Sequence, residues 1–420
     1  MVPIASKIVS KYILCRSVIE AMLILFLVEH AKEMKYLFVF ILFILLFAQP
    51  SLAEFSTLQI YGNDIYDDHT IQKILGVEFG VLVSDAEMKQ KLETTGFFSS
   101  VRIFHTASAT VIVVREKTPW FILPYFTSDA DANIFGLAGG RMGIDGTDGK
   151  LVGRAQTGTN QKAFGLLYRD EFFLDSFWIF GASLNYETAK HNVYSGREIL
   201  QRTENRATNF AQQLGYHLRP DLIVRFDTHI EDHRFEEEDH SMHEGSQWSH
   251  RVLAEYGSYF LNEGLARGYM IEPYVEFTNP LSDYHFFQLG LSAQYSVYQE
   301  NDFNWIAYPR FEYGNPLPRY QLFELGGSNL RGFPSQCFRT NAYSSVQNDL
   351  LLTSWNIWKL KVRPIVYLDW AYIQNSGRSS LGTGLQVYFR HVAIPAIQIY
   401  GGYGFHPAGF SFIAAIGPQL

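Results

Sequence analysis

Hydrophobic and polar residues alternate one for one along most of this chain, starting at Trp120. Leu222, Val224, Phe226, Thr228 and Ile230 interleave with Arg225, Asp227 and His229. Phe287, Leu289, Leu291, Ala293, Tyr295 and Val297 interleave with Gln288, Gly290, Ser292, Gln294 and Ser296. Trp178, Phe180, Ala182, Leu184 and Tyr186 do the same with Gly181, Ser183 and Asn185. Successive side chains of a strand point to opposite faces, so each segment predicts a strand with one apolar and one polar face. Polar clusters with Gly, Pro, Asn and Asp separate the segments and read as turns. About sixteen segments can be counted, an even number as single-chain bacterial membrane barrels require.

Residues 54–117 follow a different rhythm. Leu58 and Ile60 sit in a strand over 58–63. Asp67 stands where a short helix would be capped, with Ile71, Ile74 and Leu75 on one face and Gly76 beyond its end. Ser84-Asp85-Ala86-Glu87 has the form of a capping box, opening a second helix with Met88 and Leu92 four apart and a stop at Gly96. Strands over 101–104 and 111–116 complete a strand-helix-helix-strand-strand unit of about 60 residues, a size at which independent folding is feasible.

Ahead of this unit, residues 1–53 read as a leader. Met34 and Lys35 form a short n-region, 36–48 an apolar core, and Ser51-Leu52-Ala53 a small-x-small cleavage site, so 34–53 is the expected signal peptide. An earlier apolar stretch, 12–28, is broken by Arg16 and Glu20; translation from Met34 instead of Met1 accounts for it, the alternative being a real extended leader or a membrane anchor. Export is the consequence.

Composition narrows what the strands enclose. Of 420 residues, 47% are hydrophobic and 16% aromatic, yet mean hydropathy is −0.05. Helical spans need runs of about 20 apolar residues, and none occurs after Pro50; apolar residues dispersed at every second position suit a barrel wall. A soluble sandwich would show the same periodicity. The leader, the length of the strands and apolar faces rich in Tyr, Trp and Phe favour an all-β transmembrane barrel over 118–420. The net charge of −8 and the lack of a basic stripe argue against a nucleic-acid partner. Past Cys15 in the leader only Cys337 remains, which excludes an intramolecular disulfide.

The chemistry-bearing stretch is Leu325-Gly326-Gly327-Ser328-Asn329-Leu330-Arg331-Gly332-Phe333-Pro334, in a long loop near 316–340 after the eleventh strand of the series. An arginine in a wet but confined lumen needs carboxylates, which its planar fork can bind bidentately. Val366, Leu368 and Trp370 alternate outward, which turns Asp369 inward, and Leu350 and Leu352 do the same for Asp349.

Leu330-Arg331-Gly332-Phe333 resembles the tip of the sixth loop in the outer-membrane assembly-factor and two-partner-secretion superfamily, which combines POTRA domains with a sixteen-stranded barrel. Tyr367-Leu368-Asp369-Trp370-Ala371 resembles that family's aromatic-x-Asp-x-Gly strand, with Ala371 in the place of Gly, and Gly382-Thr383-Gly384-Leu385 its Gly-x-Gly-Leu. Gly96-Phe97-Phe98-Ser99-Ser100-Val101 is similar to the POTRA turn, making 54–117 a single POTRA domain. The resemblance implies a loop folded into the lumen, with Arg331 on Asp369 and with Asp349 as second acidic partner. It also implies a cell outer-membrane location with the POTRA domain in the periplasm.

The expected function is insertion or translocation of polypeptides at the outer membrane. Clients would be unfolded outer-membrane or secreted chains, taken by β-augmentation on the POTRA domain and passed to a weak seam between 120–127 and 410–416. A periplasmic or inner-membrane partner would act through the same domain. The alternative is a passive channel or structural barrel, motivated by the single POTRA domain and by a C-terminus that runs on into Gly417-Pro418-Gln419-Leu420. No enzyme, cofactor or metal is expected. The His- and acid-rich stretch 232–250 reads as a surface loop without ordered ligand spacing. Asp129-Ala130-Asp131-Ala132-Asn133 lacks the glycine and closing glutamate of a calcium loop, and no nucleophile elbow occurs.

Overall fold

The computed structural model describes residues 57–77, 84–106, 109–128, 133–236, 241–262, 265–299, 303–389 and 396–417. The leader 1–53 with its signal peptide, residues 129–132 and the C-terminal 418–420 lie outside the described residues.

The N-terminal unit runs β1 (Thr57–Tyr61), α1 (Asp68–Leu75), α2 (Asp85–Thr94), β2 (Phe98–His105) and β3 (Ala109–Glu116). Its sheet has the order β1-β3-β2, with β1 parallel and β2 antiparallel to β3. One face of each helix closes on the sheet: Ile71, Leu75, Met88 and Leu92 meet Ile60, Ile112, Val114, Val101, Phe97 and Phe98. Gly76 ends α1 in the left-handed conformation, and the Ser84 hydroxyl accepts the Glu87 N–H at 3.3 Å. Asp67 holds the N-cap position of α1 but its side chain makes no capping bond. Its backbone N–H instead donates to Gly146 O at 2.9 Å, a contact that leads out of the unit. The Glu116 carboxylate accepts the N–H groups of Asp64, Ile65 and Tyr66, which fixes the chain between β1 and α1.

The remainder is a closed antiparallel barrel. Eleven strands precede the long loop: β4 (Trp120–Ser128), β5 (Asn133–Ile144), β6 (Gly149–Gly158), β7 (Gln161–Phe173), β8 (Trp178–Ser195), β9 (Glu198–Arg219), β10 (Leu222–Glu236), β11 (Met242–Asn262), β12 (Leu265–Thr278), β13 (Phe287–Gln299) and β14 (Phe303–Asn315). The loop carries the short pair β15 (Phe323–Leu325) and β16 (Phe338–Thr340). Five more wall strands follow: β17 (Ala342–Leu351), β19 (Leu360–Ile373), β20 (Ser376–Phe389), β21 (Ile397–Phe405) and β22 (Ala408–Ile416). A three-residue segment, β18 (Trp355–Ile357), forms a small hairpin on the start of β19. The wall thus has sixteen long strands, and β22 returns to β4.

The alternation decides which face is which. Outward positions stay exposed and apolar, as at Leu184, Tyr186, Leu291, Tyr295, Leu368 and Trp370. Inward charges pair across strands at several positions: Arg251 meets Glu276 in register across β11 and β12, Nε to Oε2 at 2.9 Å, and Arg225 meets Glu255.

The acidic, His-rich stretch 232–250 is not a surface loop over 232–236 and 242–250, which belong to β10 and β11; residues 237–240 lie outside the described residues. The ladder between β10 and β11 runs out to Glu236↔Met242, and His233 is a buried wall residue packed against Tyr320 of the long loop, rings tilted and centroids 3.8 Å apart. Charge and histidine content suggested solvent, but inward faces here are polar too, so hydrophilicity does not mark the end of a strand.

The N-terminal unit rests on the near rim of the barrel. Thr70 Oγ1 donates to Gly146 O at 3.0 Å in the β5–β6 turn. The buried Lys73 pairs with Asp175 in the β7–β8 turn and lies 5.8 Å from the Phe172 ring centroid.

Candidate functional site: the lumen loop and the seam

The long loop folds inward because its own backbone builds a rigid tip. The β15–β16 pair, with an ion pair of 3.2 Å between Arg339 Nε and Glu324 Oε1, draws the loop's two arms together. Beyond it the Asn329 side chain staples the turn, accepting Gly326 N–H at 2.8 Å and donating to Glu324 O at 2.9 Å. Gly327 N–H donates to Phe333 O at 3.0 Å. Leu330 and Phe333 are fully buried against Tyr343, Ala371 and Ile373 of the wall. Apolar burial on both sides thus holds the charged residue between them in place.

That residue is Arg331. Its Nε donates to Asp369 Oδ2 at 2.9 Å and its Nη2 to Asp369 Oδ1 at 2.6 Å, a bidentate fork on β19. Its backbone N–H reaches the same Oδ2 at 2.9 Å. Asp349 of β17 stands 2.6 Å from Nη2 as an ion pair, but off the line of a hydrogen bond. The neighbouring Asn348 is not a partner: its side chain donates to Leu368 O at 3.1 Å. The Tyr367 ring centroid lies 4.0 Å from the guanidinium, a cation–π contact between two buried side chains. Gly382 and Gly402, on β20 and β21, give that ring its bed; a Cβ at either would collide with the Tyr367 hydroxyl. The glycines of the 382–385 stretch therefore serve the site by leaving room.

In the N-terminal unit, Gly96 (φ +76°) turns the chain out of α2. Phe97 stacks on Tyr66 with ring centroids 4.5 Å apart, and Val101 is buried in the same core.

The seam is the third component. Strand β22 pairs with β21 over nine positions and β4 with β5 over nine. Between β22 and β4 there are three: Ala414↔Ser128, Ala415↔Thr127 and Ile416↔Phe126. Among the described residues the far half of β22, from Ala408 to Ile413, has no strand on its β4 side, and Phe410 and Phe412 stand exposed there.

Sequence reasoning missed Arg197. It lies between β8 and β9, whose hairpin leans across the mouth to the loop tip and the β21–β22 turn. Nothing in Ser195-Gly196-Arg197 distinguishes it from a solvated turn, because its partners are backbone carbonyls distant in sequence. Cys337, next to the tip, is buried with its Sγ 3.3 Å from Gly196 O.

Residues 144–411 match the Omp85 superfamily domain. No curated protein sequence matches the chain. Among solved structures, BamA from Haemophilus ducreyi lacking POTRA domains 1–3 superposes with a TM-score of 0.57 at 14% identity, covering 86% of this chain and 84% of that one. CdiB from Escherichia coli gives 0.61 at 11%, covering 87% and 76%, and CdiB from Acinetobacter baumannii 0.58 at 12%, covering 87% and 74%. At such identities these likenesses speak for the fold alone. With the domain match spanning more than half of the chain, the protein belongs to the Omp85 superfamily and is an outer-membrane β-barrel.

Proposed function

We propose that this barrel inserts or translocates polypeptides at the outer membrane, and that the short β22–β4 seam is the working edge. A strand edge with unpaired N–H and C=O groups is a template for another strand. Among the described residues half of β22 has no strand on its β4 side, beside exposed Phe410 and Phe412; the seam of three described pairs is the observation that carries the reading. The residues 54–117 act as a single POTRA domain in the periplasm, with Gly96, Phe97 and Val101 in its signature turn. It takes an extended client along an open edge of its three-stranded sheet, and a periplasmic or inner-membrane partner would bind the same unit. Leu330, Arg331, Gly332 and Phe333 form the lumen strut, with Asp369 as primary and Asp349 as secondary anchor.

Reconstitution of the mature chain in liposomes tests this. Faster folding of an unfolded client barrel is expected, and its loss is expected when Ser128→Cys and Ala414→Cys tie the seam shut. Ion conductance with no effect on client folding would overturn the reading in favour of a passive channel.

A further inference from the structure

Among the described residues the first half of strand β22 has no strand on its β4 side, yet its first residues are held. The holder is Arg197. Its Nε donates to Pro407 O at 3.2 Å, Nη1 to Phe410 O at 3.1 Å and to Ser411 Oγ at 3.4 Å, and Nη2 to Gly409 O at 2.7 Å. The same Nη2 also donates to Gly332 O in the tip of the lumen loop, and the guanidinium lies 5.5 Å from the Phe333 ring centroid. One side chain thus joins three segments remote in sequence: the β8–β9 turn, the loop tip and the terminal hairpin. A Cβ at position 409 would stand 2.7 Å from the guanidinium, so a glycine there admits the contact.

Its chemistry differs from that of Arg331. Arg331 is buried between two carboxylates, a fixed arrangement. Arg197 is half-buried, and its hydrogen bonds go to neutral oxygens. Water can replace such acceptors at little cost, whereas a buried ion pair cannot be opened without stranding charge. A planar fork on carbonyls is a contact suited to release.

We propose that Arg197 is a positioning residue of the seam: it ties the first half of β22 to the loop tip, holding the seam in its resting state until a client displaces it. This rests on the seam being the working edge.

The test uses the full mature chain with Cys337→Ser, which keeps a donor toward Gly196, and Ser128→Cys with Ala414→Cys as a reporter of seam closure. In Arg197→Ala, disulfide formation across the seam is expected to fall several-fold and single-channel conductance in planar bilayers to rise. Heat-modifiability on gels should stay at the parent value, since the Arg331 strut is intact. Arg197→Lys keeps the charge but loses the fork and should behave like the alanine variant. Parental disulfide yield and conductance in both variants would overturn the proposal. So would a heat-modifiability loss as large as that of Arg331→Ala, which would make Arg197 a general support of the barrel. These measurements contain no client. A parent chain that fails to accelerate client folding would sink the function proposed above while leaving the latch standing.

Discussion

Arg331 shows how one charge can be both costly and necessary. Desolvating an ion costs several kcal/mol, and the cost is recovered only with good geometry and satisfied hydrogen bonds. Asp369 supplies these, with three hydrogen bonds from Arg331 to a carboxylate that has no solvent exposure. Asp349 supplies charge without a directed bond. The two acids should therefore differ. Asp369→Asn leaves a neutral one-to-one pair, with Asp349, but weakens three directed bonds at once and is expected to destabilise the barrel by about 3 kcal/mol, roughly 1 kcal/mol per bond. Asp349→Asn leaves a neutral one-to-one pair and should cost roughly 1 kcal/mol, a typical loss for one polar contact. The temperature at which heat-modifiability is lost on gels reads this order, and equal shifts for the two variants would refute the asymmetry. The inward placement of Asp369 is legible in the sequence, because Leu368 and Trp370 leave it only the lumen face. Arg197 is not legible, because carbonyl acceptors carry no side-chain signature. Asn329 stands in between: it is visible in the loop motif, but its role as staple emerges only from the fold of the tip.

At the scale of elements, strict alternation makes the wall readable and its irregularities opaque. A period of two assigns a strand and its faces but does not say how far the ladder extends, which is why 232–250 reads as a loop although 232–236 and 242–250 are the far ends of β10 and β11. The β18 hairpin is equally hidden, since three residues are too few to show a period. Trp355 and Ile357 pair with Val362 and Leu360, positions on the outward face that continues to Val366, Leu368 and Trp370. From Trp370 to Leu360 the strand descends about 26 Å along the barrel axis at ordinary rise and tilt. That matches the apolar band of about 25 Å in such barrels, so with Trp370 taken at one edge of the band the hairpin falls at the headgroup level of the near leaflet. Trp358 at the hairpin's tip has φ +55° and is 81% exposed, with Lys359 Nζ 5.4 Å from its ring centroid. A bulky residue at positive φ is strained, and interfacial Trp is the ring that an aromatic girdle uses. In proteoliposomes, lipids brominated near the headgroup are expected to quench more emission from the parent than from Trp358→Phe. Lipids brominated at the chain end should quench both alike. Quenching of Trp358 by aqueous iodide alone would place the hairpin in water and sink this assignment.

The whole molecule joins two folds through one rim, and the joint contains an acid held near neutrality. Asp148 lies in the β5–β6 turn, the turn whose Gly146 O receives Asp67 N–H and Thr70 Oγ1 from the N-terminal unit. Burial, followed by the Glu171 carboxylate and more weakly Asp170, raises its carboxyl from 3.8 to about 7, against the opposing pull of Lys150 and of the Glu171 N–H. Tyr66 of the N-terminal unit faces the same turn, and its hydroxyl is raised by burial, then Glu116, then Asp148. The sign follows from linkage: a carboxyl whose pKa is raised in the packed state favours packing while protonated. The part of the rise that comes from burial under the N-terminal unit contributes to docking while the carboxyl is protonated and disappears as pH rises through about 7. Docking of the N-terminal unit on the rim should therefore loosen between pH 5.5 and pH 8, while Lys73–Asp175 keeps it tethered at both. Spin labels at Lys89→Cys and Leu174→Cys, in a Cys337→Ser background, report the separation of the two folds. A narrow distance distribution at the lower pH and a broader one at the higher is expected for the parent, and a narrow one at both for Asp148→Asn. If the parent distribution does not change with pH, or if Asp148→Asn broadens as the parent does, the proton on Asp148 does not govern the joint, and the N-terminal unit is held by Lys73 and the Gly146 carbonyl alone.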